Sequence, residues 1–404
     1  MSALKIIDEK IILTRIRPQF CERDRLFCCL LRNDKLIEAV CEQASASLQP
    51  DAIYAGRVQK VLKGLSAAFV EVQPGLCCYL PLEKAKHPVI LKKMPSDRIV
   101  QGDELLVQIT KEASGSKLAA VTTNISFSGH YLVVTNENRY LSFSKKLTKE
   151  QRDRIKAVLP DFTDEQYGLI VRTNAADAPD EALLEEWHKL SAGILTLRET
   201  AQYRTCYTCF TPSVPFYLHY IKDAYTKCLS QIVTDEPEVY KALTDYSRQF
   251  PDYEKITIRF VDTGYPLAKA YNLEREIERA LARVVHLKSG GYLVIDPTEA
   301  MTVIDVNTGK SVGTKDKKKH LNQVNQEAAA EIARQLRLRN LSGMILVDFI
   351  NLDTEKEEEE LLKVLRRHTA QDPVPVQVID ITKLGLVEIT RKRSSRTLRE
   401  MLSG

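Results

Sequence analysis

The sequence predicts a multi-domain α/β protein, and three observations support this prediction. With 404 residues, the chain is too long for one ordinary hydrophobic core. Short strands separated by turn residues are concentrated between positions 51 and 124, which is typical of a small barrel. After about position 278, strands alternate with helices, and this order is typical of an α/β sheet covered by helices.

The composition is that of a folded protein. Hydrophobic residues make up 44% of the chain and charged residues 28%, which excludes a disordered or collagen-like protein. No apolar run approaches the roughly 18 residues that a membrane span requires, and the start MSALKIIDEK lacks the apolar core of a signal peptide. We therefore expect a cytoplasmic protein without a membrane span. The net charge of +4 does not by itself indicate a binding partner.

The nine cysteines indicate reduced thiols rather than disulfides. Their number is odd, and their spacing is not that of a disulfide framework. Cys206 and Cys209 form half of a zinc or redox pattern, but no second pair and no His-x-x-x-His follows. We favour a structural role for this pair over metal binding.

The first 124 residues are predicted to form strands. Two alternating segments, around 5–15 and 25–40, with a turn signal at Asn33-Asp34, predict a small antiparallel sheet. Residues 51–124 then carry five candidate strands for the barrel, AIYAGRVQKVL, SAAFVEV, LCCYLPL, DELLVQITK and SKLAAVTT.

The middle of the chain mixes both element types. Residues 125–213 contain the strands YLVVT and GLIVRT, with helical stretches around 147–158 and 180–199, and are predicted to form an α+β module. Residues 214–277 are predicted to join a helix near 219–230, an acidic segment and the strand KITIRF.

The last region, from about 278, alternates strands and helices. The strands are YLVID, MTVIDV, MILVDFI and VPVQVID, and the helices run from about Asn325 to Arg339 and from Thr354 to His368. A basic segment, TKDKKKH at 314–320, is predicted to be a loop, either solvated or in contact with the phosphates of a nucleic acid.

Three carboxylates interrupt the apolar strands of this last region, namely Asp296, Asp305 and Asp348. A buried ionised carboxylate needs a cation, hydrogen-bond donors or water. Asp305 and Asn307 are two residues apart on one strand, so both side chains leave the same face about 7 Å apart. Together with Asp348 on a neighbouring strand they form an oxygen-rich set that suits Mg²⁺ or Mn²⁺. The alternative is that these aspartates cap helices or accept backbone N–H groups.

The barrel segment has the residues of a nucleic-acid site. Phe69 and Tyr79 lie on consecutive strands, and cationic residues surround them: Arg57, Lys60, Lys63, Lys111 and Lys117. Aromatic rings that stack unpaired bases, with cations for the phosphates, are how OB-type barrels bind single strands. The alternative is that Phe69, inside AAFV, belongs to the core.

Arg172-Thr173 follows the apolar strand GLIV. A guanidinium fork beside a hydroxyl can bind a terminal phosphate. The alternative is that both side chains simply lie in solvent at the surface, without a ligand.

Read together and in order, several motifs resemble the catalytic region of the bacterial ribonuclease E/G family. They are GRVxxVxxGxxAAFVEV, VRT, SGGYLVIDPTEAMTVIDVNTGKSVG, EIARQLRLRNLSGMILVDFI and GLVEITRKR, of which VIDVNTG and GLVEITRKR are closer to the ribonuclease G branch. The resemblance implies an RNase H-like fold with an inserted S1 (OB-fold) barrel and an α+β 5′-sensor, followed by a DNase I-like α/β catalytic domain. The corresponding boundaries are 1–50 with 214–277, 51–124, 125–213 and 278–404.

The same resemblance implies an Mg²⁺-dependent endoribonuclease, with Mn²⁺ as the alternative ion, that cleaves single-stranded A/U-rich RNA. Its substrates would be ribosomal RNA precursors and messenger RNA, and its products 5′-phosphate and 3′-hydroxyl ends. Asp305, Asn307 and Asp348 match the catalytic residues, and the two aspartates match the metal ligands. The alternatives are an RNA-binding protein of this architecture with weak or no cleavage, and a translation-related factor that uses only its barrel.

Two further sets of residues carry over from the family. Phe69, Tyr79 and Lys117 match RNA-binding positions of the barrel, and Lys111 is added to this RNA-binding set from the cations of the same barrel. Gly129, Val133, Arg172 and Thr173 are assigned to a 5′-phosphate sensor, whose snug pocket would favour a 5′-monophosphate over a triphosphate. The family also has a Cys-Pro-x-Cys zinc link and a dimerisation domain after the catalytic region. Because no cysteine follows Cys228, we expect a short form without structural zinc, and the oligomeric state stays open.

Overall fold

The computed structural model of the chain describes residues 8–18, 21–42, 48, 50–113, 117–136, 140–159, 167–211, 214–224, 228–248, 255–262, 264, 266–309, 317–352, 354–393 and 395–403. The chain forms two compact units. The first consists of Met1–Ala44, Asp223–Thr244 and Lys255–Gly404, and the second of Ser45–Lys222 and Asp245–Glu254. Within the described residues, no helix is both long and apolar enough to cross a membrane.

The first unit begins with three antiparallel strands, β1 (Glu9–Ile16), β2 (Arg25–Arg32) and β3 (Lys35–Cys41). The turn between β2 and β3 consists of Asn33 and Asp34, both in the left-handed region with φ of 48° and 60°. Asn and Asp tolerate this conformation, which a two-residue hairpin of matching twist requires. The predicted turn is therefore confirmed.

The second unit contains the predicted barrel. Its strands are β4 (Ile53–Leu62), β5 (Ala67–Gln73), β6 (Leu76–Pro81), β7 (Ile90–Lys92), β8 (Glu104–Lys111) and β9 (Ala120–Thr122). Five of them pair in the order β4-β5-β6-β9-β8, and an additional pairing of β4 with β8 closes the barrel. Alternate residues such as Val58, Val70 and Leu105 point into its core. The prediction of a small OB-like barrel is confirmed, although SKLAAVTT contributes only the three residues of β9.

The rest of this unit is an α+β module. Its elements are β10 (Ser126–Ser128), β11 (Leu132–Thr135), β12 (Leu141–Phe143), α1 (Lys149–Val158), β13 (Gly168–Val171) and α2 (Asp180–Ala201). The four strands form a sheet in the order β10-β11-β13-β12. Trp187 and Ile194 of α2 pack in the same core as Leu132 and Val171 of the sheet. After α2, β14 (Cys209–Thr211) pairs with β4.

The chain then forms α3 (Phe216–Ala224), β15 (Leu229–Thr234), α4 (Pro237–Ser247) and β16 (Thr257–Phe260). β15 pairs in parallel with β1, and β16 with β15, so the first sheet is mixed with the order β16-β15-β1-β2-β3. The prediction of a helix up to Ser230 was wrong at its end. Ile232 and Val233 are buried β-branched residues, and their pairing with β1 across more than 200 residues overrides the local helical pattern.

The C-terminal part of the first unit is built on a six-stranded sheet. Its elements are α5 (Leu267–Ala270), α6 (Leu273–Leu281), β17 (Val284–His286), β18 (Tyr292–Pro297), β19 (Met301–Asn307), α7 (Lys317–Leu338), β20 (Gly343–Asp348), α8 (Glu355–Thr369), β21 (Val376–Ile381), β22 (Leu386–Arg391) and α9 (Leu398–Ser403). The strand order is β17-β18-β19-β20-β22-β21, in which only β19 and β20 are parallel.

Helices α7 and α8 cover one face of this sheet. Ile332 of α7 and Leu365 of α8 are fully buried in one core with Ile304 of β19 and Val347 of β20. The alternate residues of the same strands, including Val303 and Met344, are exposed. Because successive strand residues point to opposite faces, the sheet has a helix-covered face and an open face.

Candidate active site and nucleic-acid interface

Two aspartates lie side by side on the open face of the six-stranded sheet. Asp305 of β19 and Asp348 of β20 are register neighbours in the parallel pair, and both are exposed. Adjacent strands are about 4.8 Å apart, and paired residues project from the same face. Asn307 lies two residues after Asp305, and its Nδ2 donates a hydrogen bond of 2.6 Å to Asp305 Oδ2. The structure thus brings the three predicted residues together.

No cationic side chain among the described residues is paired with either aspartate. Apart from the bond from Asn307, neither Asp305 nor Asp348 has a hydrogen bond or an ion pair within the described residues, so neither caps a helix or accepts a backbone N–H. Asp296 of β18 is different, because Arg283 holds both of its oxygens at 2.6 Å and this bidentate pair lowers the pKa of the Asp296 carboxyl. Like charges directly opposite each other on neighbouring strands are unfavourable, and a cation bound between Asp305 and Asp348 would relieve this repulsion.

The donor set fits a hard divalent cation. Two carboxylates and an amide offer oxygen ligands only, which Mg²⁺ and Mn²⁺ prefer. In the described part of the chain, no group of three or more His, Cys, Asp or Glu side chains is arranged so that it could hold a metal ion. Any ion at Asp305 and Asp348 would therefore take its remaining ligands from water and substrate, as Mg²⁺ commonly does at phosphate-transfer sites.

A row of polar and aromatic residues crosses the outer surface of the barrel. The register pairs Lys60 with Phe69, Phe69 with Tyr79, Tyr79 with Ala120, and Ala120 with Lys111. Both lysines are exposed and Tyr79 is 36% exposed. Phe69 is half-buried and lies outside the barrel core, whose β5 residues are Ala68, Val70 and Val72. Two neighbouring aromatic rings are thus flanked by a lysine on each side.

The other cations of the barrel differ in their availability. Lys117 and Lys63 are exposed. Arg57 donates to Glu104 at 2.8 Å, and its guanidinium lies 5.7 Å from the centroid of the Tyr207 ring. Arg57 is therefore held by protein groups, unlike the exposed lysines of the same set.

The predicted 5′-phosphate residues meet at one end of the α+β sheet. The Arg172 backbone N–H donates to the Tyr131 carbonyl at 2.8 Å, and Arg172 Nη1 donates to the Gly129 carbonyl at 3.0 Å. Val133 of β11 pairs with Ser128 of β10 on one side and with Ile170 of β13 on the other. The exposed Thr173 hydroxyl lies 2.9 Å from the Ser144 hydroxyl.

Sequence reasoning missed the residue that shapes this loop. Glu186 of α2 is 6% exposed, and its carboxylate accepts the backbone N–H groups of His130, Tyr131 and Leu132 at 2.5, 2.8 and 2.8 Å. Burial raises the pKa of Glu186 in spite of these donors. A Cβ on Gly129 would lie 2.3 Å from Glu186 Cδ, so only glycine admits the carboxylate. In the sequence Glu186 follows Glu185 within a predicted helix, and no residue spacing distinguishes it from an ordinary exposed glutamate.

The structure describes only residues 317–320 of the basic segment at 314–320. Residues 314–316 lie outside the described part of the chain, and Lys317–His320 form the first turn of α7 rather than a loop. Helix α7 thus begins two turns before the predicted start at Asn325. The segment KKKHLNQ has no apolar face, which is why its helical character is not evident from periodicity.

Comparison with known proteins agrees with this architecture. The model of the ribonuclease E/G family matches residues 126–394. Ribonuclease G of Salmonella typhimurium is 33% identical over 365 residues, which cover 87% of this chain and 74% of the relative. Ribonuclease G of Escherichia coli is 33% identical over 371 residues with the same coverage. Ribonuclease E of Synechocystis sp. is 32% identical over 369 residues, or 89% of this chain and 54% of the relative.

The fold and these matches define the class of the protein as an endoribonuclease. It combines a closed OB-like barrel with several mixed sheets. The chain belongs to the ribonuclease E/G family, as its motifs predict.

Proposed function

We propose that this endoribonuclease uses Mg²⁺ to cleave single-stranded A/U-rich RNA in the processing and decay of ribosomal RNA precursors and messenger RNA. One observation carries the proposal. Asp305 and Asp348 are adjacent, exposed and without a cationic partner within the described residues. An arrangement of this kind suits a site for a divalent ion and a phosphate, and it has no evident value for stability.

The roles of the three residues follow from their geometry. Asp305 and Asp348 present carboxylate oxygens on one face, and Asn307 fixes the orientation of Asp305 by its hydrogen bond of 2.6 Å. A bound Mg²⁺ would supply charge neutralisation at the scissile phosphate and a more acidic water for in-line attack. The open face leaves room for a phosphodiester above the carboxylates. The products would be a 5′-phosphate and a 3′-hydroxyl.

We extend the proposal to the domain organisation. Residues 1–50 with 214–277 would form the RNase H-like part, which is supported by three antiparallel strands followed by two parallel ones in its sheet. Residues 51–124 would be the S1 domain, 125–213 the 5′-sensor and 278–404 the DNase I-like catalytic part.

The row on the barrel supports a second role, binding single-stranded RNA. Phe69 and Tyr79 would stack two bases, while Lys111 and Lys117 would contact phosphates. Replacing Phe69 by Ala should weaken RNA binding by about 1–3 kcal/mol, the usual contribution of one stacked base. Fluorescence anisotropy with a labelled single-stranded RNA measures this.

The matched control is Tyr203→Ala, which removes a ring that is 86% exposed elsewhere in the same unit. RNA affinity should be unchanged in this variant. Equal affinity of the Phe69→Ala protein and the wild type would assign Phe69 to structure alone.

The loop around Gly129 and Arg172 supports a 5′-monophosphate sensor. Arg172 and Thr173 would grip the terminal phosphate, beside the walls formed by Gly129 and Val133. Because Arg172 Nη1 is tied to the Gly129 carbonyl, the guanidinium depends on the position of this loop. Glu186 holds the loop through three backbone N–H groups, and so acts as a positioning residue.

Replacing Glu186 by Gln should remove the rate advantage of 5′-monophosphorylated RNA. The amide NH₂ of Gln cannot accept a backbone N–H, so at least one buried donor loses its partner and the loop shifts. We expect KM for the monophosphorylated RNA to rise about tenfold, while kcat/KM for the 5′-hydroxyl RNA changes less than about twofold.

Glu185→Gln, a change at the neighbouring exposed position of α2, is the control and should behave as the wild type. An unaltered monophosphate preference in the Glu186→Gln protein would contradict the positioning role.

The proposed function is tested by cleavage of one A/U-rich oligonucleotide with a 5′-monophosphate, triphosphate or hydroxyl, in Mg²⁺ or EDTA. We expect cleavage in Mg²⁺ only, and fastest with the monophosphate. RNA binding without cleavage would favour the alternative of an RNA-binding protein. Equal rates for the three 5′ ends would refute the sensor.

A further inference from the structure

A cavity of about 710 Å³ lies within the first unit, between the β2–β3 hairpin, helices α7 and α8, and the hairpin that joins β17 to β18. Its lining is rich in charged groups and contains three carboxylates and six Lys or Arg side chains. The six cations are Arg32, Lys35, Lys288, Arg334, Arg337 and Arg367. Of the lining residues that the structure describes, none is Phe, Tyr or Trp.

The three carboxylates of the cavity are already engaged. Glu331 accepts from Lys35 at 2.9 Å and from Arg334 at 2.6 Å. Asp372 is paired with Arg391 at 2.8 Å. Glu327 accepts the backbone N–H groups of residues 288 and 289 at 2.6 and 2.9 Å. Of the three, only Glu327 has no ion pair with a lysine or arginine side chain in the described residues, and the nearby Lys288 contributes to lowering the pKa of the Glu327 carboxyl.

Two of the six Lys and Arg side chains that line the cavity remain available to contact a ligand. Arg32 is paired with Glu9 and Arg337 with Glu38. Lys288 and Arg367 are exposed, and neither side chain has an ion pair or a hydrogen bond within the described residues. The cavity therefore contains two exposed cations, from two different elements, that form no close ion pair within the described residues.

The Lys288 end of the cavity adjoins the proposed catalytic site. Lys288 lies in the β17–β18 hairpin, and Tyr292 at the start of β18 is the register neighbour of Asn307. The chain after Asn307 touches the same hairpin, since a Cβ on Gly309 would lie 2.2 Å from the Gly290 carbonyl oxygen. The hairpin that carries Lys288 therefore lies beside the end of β19, at the edge of the sheet between its open face and the helix-covered side.

We propose that this cavity binds the sugar–phosphate backbone of RNA next to the scissile phosphate. Lys288 and Arg367 would contact phosphates, and the exposed side-chain amides of Gln323 and Gln326 can serve 2′-hydroxyl groups. The absence of Phe, Tyr and Trp from the described lining, in which His368 is the one aromatic side chain, favours backbone contacts over base stacking. The inference rests on the proposed function and extends it to a second RNA contact in the catalytic unit.

The test compares wild type with the double variant Lys288→Gln/Arg367→Gln for binding a fluorescein-labelled 30-nucleotide A/U-rich RNA across a range of salt concentrations. We expect roughly tenfold weaker binding at low salt. The slope of log K against log salt should fall by about 1.4, because each phosphate contact to a single strand contributes about 0.7. The control Lys241→Gln/Lys363→Gln removes two exposed lysines of the same unit outside the cavity and should match wild type.

A double variant with the affinity and salt slope of the wild type would overturn the inference, and would leave an acidic protein segment as the ligand to examine next. Failure of the proposed function would appear in a different measurement, as the absence of Mg²⁺-dependent cleavage by the wild type. Cross-linking of 4-thiouridine RNA gives a second measurement that does not depend on the variants. We expect cross-links in peptides that contain Lys288 or Arg367, and their absence would also contradict the site.

Discussion

Replacing Asp348 by Asn is expected to lower kcat for RNA cleavage by about 10³-fold or more. The substitution keeps the shape of the side chain but removes one of the two adjacent carboxylate charges of Asp305 and Asp348. Loss of a ligand for a catalytic cation removes several kcal/mol of stabilisation of the transition state. Single-turnover cleavage of a 5′-monophosphorylated oligonucleotide in Mg²⁺ measures the effect without interference from product release.

Asp296→Asn is the matched control for this experiment. Asp296 lies on the same face of the same sheet, as the register neighbour of Val303, but it is paired with Arg283 at an exposed position. Exposed ion pairs contribute little, so both kcat and stability should stay close to the wild type. If Asp348→Asn cleaves RNA as fast as Asp296→Asn, Asp348 is not catalytic.

The second large effect is on stability. Replacing Arg391 by Met should lower the free energy of unfolding of the first unit by about 3–5 kcal/mol, as removal of one partner from a buried ion pair usually does. Arg391 is 3% exposed and donates to Asp372 at 2.8 Å, to Asn340 Oδ1 at 2.7 Å and to the Leu341 carbonyl at 3.0 Å. The side chain thus ties β22 to the ends of α7 and α8. Urea unfolding followed by circular dichroism measures the loss.

Arg393→Met tests the same chemistry at the surface. Arg393 and Glu400 form an ion pair at 3.3 Å with more than 40% of each side chain exposed, and its loss should cost less than about 1 kcal/mol. The double variant Arg391→Met/Asp372→Asn should recover part of the stability, because no full charge is then left buried. If Arg391→Met lowers the free energy of unfolding no more than Arg393→Met does, the structural role of the buried pair is contradicted.

The proximity of Asp305, Asn307 and Asp348 could be predicted from the sequence because it follows from strand periodicity and from the order of the elements. Asp305 and Asn307 share a face by the two-residue period of a strand, and the alternation of strands and helices predicts that MTVIDV and MILVDFI are neighbours. Asp296 stands in an equally apolar strand, and only the structure shows that Arg283 neutralises it.

Other features depend on register and on long-range contacts, which residue patterns do not contain. The row from Lys60 to Lys111 crosses five strands and requires four separate registers. Glu186 and Arg391 look like solvated charges in the sequence, because a charged residue in a helix or at a strand end is usually exposed. Their burial follows from packing against segments more than 15 residues away.

The central claim is that Asp305 and Asp348 together hold one divalent cation, and calorimetric titration with Mn²⁺ tests it most directly. We predict one site in the wild type and in Asp296→Asn, with affinity at least about tenfold lower in Asp305→Asn and in Asp348→Asn. The double variant should be little worse than either single variant, because the two residues act as one unit. Wild-type affinity and stoichiometry in the double variant would contradict the claim.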